Sequence, residues 1–205
     1  MNAFTEPVTL TGRLVRLVPL RPDHHDALVE AVRDGELWNR WYTSVPTPEE
    51  MAVYIHDKIA AREAGAASPW VVVRNADDQV LGVTTFLGID PLNRRVEIGA
   101  TWQRAGAQGT GANPAAKLLL LAHAFDDLDA IAVEFRTHFH NRESRSAIER
   151  LGAKLDGVLR SHQIGYDGTL RDTVVYSVTA AEWPTVRVGL EYRLRARLEA
   201  WASEG

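Results

Sequence analysis

The stretch Gln108-Gly109-Thr110-Gly111-Ala112-Asn113-Pro114, followed at once by the mostly apolar run Ala115 to Phe125, constrains this chain more than any other. Glycine lets a backbone turn tightly and approach a ligand with no side chain in between. Asn113 has the side chain of a helix N-cap and Pro114 suits the first helical position, so the spacing predicts a helix over Pro114 to Asp126. A glycine turn feeding a helix start gathers free N–H groups and the positive end of the helix dipole at one point. Such a point suits a phosphate or pyrophosphate. A plain connection with a helix cap is the other meaning of these residues, and the flanking elements decide between them.

Before the turn, Val8 to Leu20 reads as an opening strand or hairpin broken at Gly12-Arg13, and Pro22-Asp23 starts a short helix. Trp38 to Ser44 is an aromatic-rich loop. Thr47-Pro48-Glu49-Glu50, with acids in its first turn, opens a helix running to about Ala64. Trp70 to Arg74, Val80 to Ile89 and Val96 to Trp102 form an antiparallel meander with turns between them. After the turn and its helix, Ile131 to His138 is rich in β-branched and aromatic residues, and a strand–helix–strand unit of this kind is a parallel crossover. A helix over Asn141 to Leu151 stops at Gly152, Val158 to Ile164 and Asp172 to Thr179 close the sheet, and Ala181 to Trp201 is helical with a break or bend near Pro184 and Gly189. The fold class is therefore α/β in the α+β sense: a mixed, mostly antiparallel central sheet of about 6–7 strands with helices on both faces. With 205 residues and 45% hydrophobic content, one domain over residues 1–180 with a helical extension at 181–205 packed on it is the expectation.

The chain has no cysteine, which excludes a disulfide framework, a thiolate nucleophile and a cysteine metal site. Met1 to Pro7 lacks a basic region leading into an apolar stretch, and the apolar runs fall short of the ~20 residues of a membrane helix, so a cytoplasmic protein without membrane contact is expected. The formal charge of −4 argues against nucleic acid as a partner.

The element order, together with Glu97-Ile98-Gly99 before the turn, Gln108-Gly109-Thr110-Gly111 within it, and Asn141, Ser144 and Leu151-Gly152-Ala153 after it, resembles the GNAT N-acetyltransferase superfamily over roughly residues 8–180. The likeness is greatest to the ribosomal-protein N-terminal acetyltransferase type, RimJ/RimL-like. It implies acetyl-coenzyme A as co-substrate, no metal, and direct attack by a primary amine, either a protein N-terminus or a small molecule; succinyl-coenzyme A is a further donor to consider. A homodimer is a possible assembly for this fold. Two positions depart from the pattern. Asn113 stands where the superfamily has Gly or Ala, and Ile148 occupies the place of a tyrosine that often acts as general acid. The latter keeps a second reading open, a non-catalytic acyl-coenzyme A sensor.

The resemblance and the residues themselves together supply candidates. Gln108, Gly109, Thr110, Gly111, Ala112 and Asn113 would cradle the pyrophosphate. Backbone groups at Ala100, Thr101 and Trp102 would bind pantetheine and polarise the thioester, with Trp102 equally fit for the core. Asn141 both caps its helix and lies near the pantetheine arm, and Arg145 and Arg142 meet phosphates or else are simply solvated. For acid–base work Glu97 is a base or else a solvated strand residue paired with Arg94 or Arg95, His138 (with His140) ends the central strand where ligands gather and is a base or else a surface or hydrogen-bonding residue, and Ser144 is a proton donor or an ordinary first-turn serine. Trp38, Trp41 and Tyr42, with Tyr166 from the late hairpin, edge the acceptor groove or form a lid on the core.

Overall fold

A computed structural model describes residues 3–165 and 167–203, and side chains as far as residue 195. Eight strands form a single sheet in the order β1-β2-β3-β4-β5-β6-β8-β7. They are β1 (Leu10–Thr11), β2 (Val15–Pro19), β3 (Ser68–Arg74), β4 (Val80–Asp90), β5 (Arg95–Gln103), β6 (Ala132–His138), β7 (Lys154–Ile164) and β8 (Leu170–Thr179). Every pairing is antiparallel except β5 with β6. The count exceeds the expected 6–7 because the Gly12 turn, whose N–H donates to Val15 O at 3.0 Å, splits the opening segment into β1 and β2.

Alternation along the strands divides the apolar residues between the two faces of the sheet. On β3, Val71 and Val73 pack with Leu28, Ala31 and Val32 of α1 (His25–Arg33) and with Met51 and Ile55 of α2 (Met51–Glu63). Trp70 and Val72 point the other way, into a core completed by Leu120 and Leu121 of α3 (Ala112–Ala122), Ile148 and Leu151 of α4 (Arg142–Leu151), and Leu190 of α5 (Trp183–Ser203). Each such side chain buried in full contributes about 1.5–3 kcal/mol, so both faces are firmly covered.

Two local expectations are corrected and one gains a detail. Gly111, at φ 93°, is the N-cap of α3, and the helix begins at Ala112; Asn113 therefore sits in the first turn and does not cap. A left-handed residue turns the chain into the helix earlier than an asparagine cap would, and glycine takes that conformation without strain. At its far end α3 runs on as a π-helical turn, His123–Asp127. Finally, α5 is a continuous helix. Pro184 is its second residue, where the missing N–H has no intrahelical partner to lose, so no break follows.

Two features of β5 position the site. Its pairing with β6 holds only from Arg95–Ala132 to Glu97–Glu134, beyond which the strands part. On its other side the register with β4 slips between Val83–Trp102 and Thr85–Gly99, and Ala100 takes a φ of 43°. This bulge reverses the alternation. Ile98 faces the α3 core, whereas Trp102, four residues on, packs among the α1 and α2 residues. Gly82 on β4 permits the bulge, since a Cβ there would stand 2.1 Å from Trp102 O.

Candidate active site

The parting of β5 and β6 opens a cleft of about 920 Å³. Its walls come from the bulge of β5, the end of β6, the Gly111 turn, the start of α4 and one side of α5. Of the turn residues, Gln108, Gly109, Gly111 and Asn113 line it. Thr110 and Ala112 do not: the Thr110 hydroxyl donates to Ala107 O at 2.7 Å, and Ala112 is buried. Ala100, Thr101 and Trp102 reach the cleft, although the Trp102 ring is 4% exposed and its indole N–H donates to Tyr54 Oη at 3.2 Å. That side chain belongs chiefly to the core. The same burial pushes the Tyr54 hydroxyl up to about 12.

Asn141 caps α4 as its residue type predicts, its Oδ1 accepting the Ser144 N–H at 3.0 Å, and both residues line the cleft. Ile148 lies close by, contributing only hydrocarbon. Arg145 is turned elsewhere. It donates to Tyr176 Oη at 3.2 Å and Phe139 O at 3.3 Å, and its guanidinium lies 4.9 Å from the centre of the Phe139 ring. The arginines that do line the cleft from this side are Arg150 of α4 and Arg193 of α5.

Glu97 lies where the two strands separate. Neither Arg94 nor Arg95 pairs with it, because Arg94 is taken by Asp129 and Arg95 by Glu134. Its contact is Arg136 Nε at 3.5 Å, and Arg136 is itself held more closely by Glu134 at 2.9 Å. Burial therefore prevails over Arg136 and raises the Glu97 carboxyl above its usual range, with Glu134 adding to the rise. Gly99 leaves room for this carboxylate, since a Cβ at that position would come within 2.7 Å of Glu97 Oε1.

His138, 8% exposed at the end of β6, accepts the His140 N–H on Nδ1 at 3.0 Å, so the neutral ring carries its proton on Nε2. Burial, then Arg171 and His140, lower its pKa. The ring of Trp41 packs edge-on against it at 5.0 Å and also meets His140 at 5.8 Å. Tyr42 lines the cleft, whereas Trp38 packs into the α1–α2 core. The aromatic loop thus contributes both to the cleft wall and to the core. Arg40 of that loop reaches Glu143 of α4 at 2.6 Å, joining the two banks. Tyr166 lies outside the described residues.

Sequence reasoning overlooked Gln103, Lys117 and Arg171. All three line the cleft. Lys117 carried a signal, as the one charged residue in the run from Ala115 to Phe125. Gln103 and Arg171 carried none. Of the five buried side-chain polar atoms without a partner among the described residues, three belong to this cleft: Gln103 Nε2, Asn113 Oδ1 and Arg171 Nε. Each such atom costs about 1–3 kcal/mol unless something satisfies it. A polar ligand threading the cleft would do so, and a helix start beside a left-handed glycine suits a ligand bearing phosphates. The residues present thus fit a coenzyme A donor.

Comparison with known proteins agrees with this geometry. Residues 14–154 match the family model described as an acetyltransferase (GNAT) domain. The chain is 23% identical over 161 residues to the ribosomal-protein-serine acetyltransferase of Escherichia coli (strain K12), covering 77% of this chain and 88% of that protein. It is 31% identical over 107 residues to the candidate ribosomal N-acetyltransferase YdaF of Bacillus subtilis (strain 168); that match takes in 52% of this chain and 57% of the length of the relative. Among solved structures, a GCN5-related N-acetyltransferase from Brucella melitensis superposes with a TM-score of 0.83 at 30% identity, covering 92% of this chain and 86% of that one. The chain belongs to the GNAT family of acetyltransferases.

Proposed function

We propose that this protein transfers an acetyl group from acetyl-coenzyme A to a primary amine, and that the amine is the α-amino group of a protein or peptide. The observation that carries the reading is the separation of β5 from β6 beyond Glu97 and Glu134, which bares the β6-facing edge of β5 beside the start of α3. The Gly111 turn would hold the pyrophosphate, the bared edge at Ala100–Trp102 the pantetheine amides, and Asn141 the middle of the arm. The donor supplies an acyl carbon activated as a thioester. Glu97, with its affinity for protons raised, takes the proton from the attacking nitrogen. Ser144, in the first turn of α4, stands on the opposite wall as a hydrogen-bond donor. His138, neutral and fixed by His140 and Trp41, orients the acceptor. The names of the relatives favour a protein acceptor, and the open groove beside Tyr42 and Trp41 suits an extended peptide end.

The test is thiol release from acetyl- and succinyl-coenzyme A against peptides (some beginning with serine), free amino acids and aminoglycosides. Turnover is expected with acetyl-coenzyme A and peptides. Tight donor binding with no release on any amine would sink the reading in favour of a sensor.

A further inference from the structure

Lys117 lies within α3 and is 5% exposed, yet no opposite charge acts on it. Its Nζ donates to Thr101 Oγ1 at 2.6 Å and to Thr84 Oγ1 at 2.9 Å, and the two hydroxyl oxygens are 2.8 Å apart. The three atoms close a triangle. Thr84 is wholly buried in β4, whereas Thr101 is exposed on the bulge of β5 and forms part of the cleft wall. Thr101 also lies within reach of Gly99 O, at 3.3 Å, so the network grips both sides of the bulge at Ala100. An ammonium group stripped of water without a counter-ion is costly to keep, and apolar α3 has ample alternatives at this position.

Resting on the acyl-transfer reading above, we propose that Lys117 is a positioning residue for the donor end of the reaction: its ammonium polarises the Thr101 hydroxyl, which meets the negative charge gathering on the thioester oxygen and then on the departing sulfur. In that step the amine nitrogen bonds to the acyl carbon and the C=O pair moves onto oxygen. The pair then returns, and the C–S bond breaks with its electrons on sulfur. The nitrogen loses one proton to Glu97, which passes it to solvent, and the thiolate gains one from solvent. Lys117 keeps its protons throughout, acting as a fixed charge in a site poor in water.

Burial alone brings the Lys117 amine down to about 7, so it changes charge in the working range of an enzyme. The elements against it face it with the uncharged Thr84 and Thr101. Elsewhere the cleft wall carries Glu97, Arg136, His138, His162 and Arg171 from the strands, Lys58 from α2, Glu143 and Arg150 from α4, Arg193 from α5 and Arg40 from the aromatic loop, with the phenols of Tyr42 and Tyr54. Since the protonated form is the working one, kcat falls as pH rises through the titration of Lys117. Binding of the anionic donor draws a proton onto it.

The experiment has two arms, with thermal melts as the check on folding. Calorimetry of acetyl-coenzyme A binding without acceptor, near pH 7.5 in buffers of different ionisation enthalpy, measures proton uptake. Wild type takes up a fraction of a proton that Lys117→Met does not. In the kinetic arm, Lys117→Met lowers kcat about tenfold or more, leaves the KM for acetyl-coenzyme A within about threefold, and flattens the alkaline limb of kcat. Thr101→Val behaves in the same way and Thr101→Ser keeps the wild-type profile, which decides the matter even if Lys117→Met fails to fold. Equal proton uptake together with an unchanged pH profile in the variants overturns the proposal and leaves acetyl transfer standing. A wild type that binds the donor but acetylates nothing overturns the acyl-transfer reading instead.

Discussion

Two carboxylates on neighbouring strands show how much one contact decides. Glu134 accepts from Arg95 at 2.6 Å and from Arg136 at 2.9 Å, and these arginines hold its pKa below the ordinary value despite its burial. Glu97, directly across from it in register, keeps only the longer Arg136 contact and is shifted the opposite way. An acid whose folded-state pKa is raised contributes nothing adverse below its unfolded value and costs stability once pH passes the folded value. Replacing Glu97 by Gln should therefore raise the melting temperature by about 2 °C at pH 8 and lose that advantage near pH 4. The same change should lower kcat about a hundredfold if Glu97 is the base. Melts at both pH values beside a single kinetic assay check the pair. Higher stability with undiminished kcat would remove Glu97 from the chemistry. The sequence placed Glu97 at this strand, but its partner could not be read, because Arg94, Arg95 and Arg136 compete for three carboxylates and only the strand register settles who meets whom.

At the level of elements, the bulge of β5 depends on a residue in another strand. A side chain at Gly82 would overlap Trp102 O at 2.1 Å, and its φ of 153° adds strain for any other residue. Gly82→Ala should push β5 from β4, lower stability by about 2–4 kcal/mol in urea unfolding, and raise the KM for acetyl-coenzyme A. A variant as stable as wild type would show that β4 yields instead and that the bulge is not anchored here. Gly111→Val tests the other anchor. At φ 93° a β-branched residue is strained, and its side chain would stand over the proposed phosphate site, so the KM for the donor should rise tenfold or more. Strand and helix positions were legible because β3 to β6 carry β-branched runs between turn residues, and because Asn141 and Gly152 mark both ends of α4. The start of α3 was misplaced because Asn113 and Gly111 compete for the cap and left-handed geometry favours glycine. Pro184 and Gly189 both suggest a break in α5, but Pro184 is harmless in the first turn and Gly189 sits within a helix that runs on past it. Arg145 is turned toward neither phosphate nor open solvent, because Tyr176, from a distant strand, holds it; spacing can set a residue on a helix face but cannot reveal such a partner.

The sheet as a whole is two antiparallel sections, β1 to β5 and β6 with β8 and β7, joined by the short parallel register from Arg95–Ala132 to Glu97–Glu134. The cleft opens along that seam, and Gln103, Asn113 and Arg171, which bring unpaired polar atoms to it, come from β5, α3 and β8. A ligand that bonds to groups on both sides of the seam ties the sections together and binds the folded state alone. At a donor concentration of 100 times Kd the linked stabilisation is about 2.7 kcal/mol. For a chain of this size that corresponds to a rise in melting temperature of roughly 5–10 °C. Acetyl-coenzyme A should produce this shift without any acceptor, while an acceptor peptide, which the proposed function seats on the Tyr42 and Trp41 side, should produce little of it alone. The surface pair Arg40–Glu143 also spans the cleft, but with side-chain exposures of 35% and 69% it contributes about 0–1 kcal/mol and cannot substitute for the ligand. Breaking it with Glu143→Gln should lower the melting temperature by no more than about 4 °C and leave the donor-induced shift intact. Scanning fluorimetry over a donor titration, for wild type, Glu143→Gln and Gly111→Val, decides the matter. A shift that persists undiminished in Gly111→Val would place the donor elsewhere, and its loss in Glu143→Gln would make the surface pair, rather than the seam, the join that the donor strengthens.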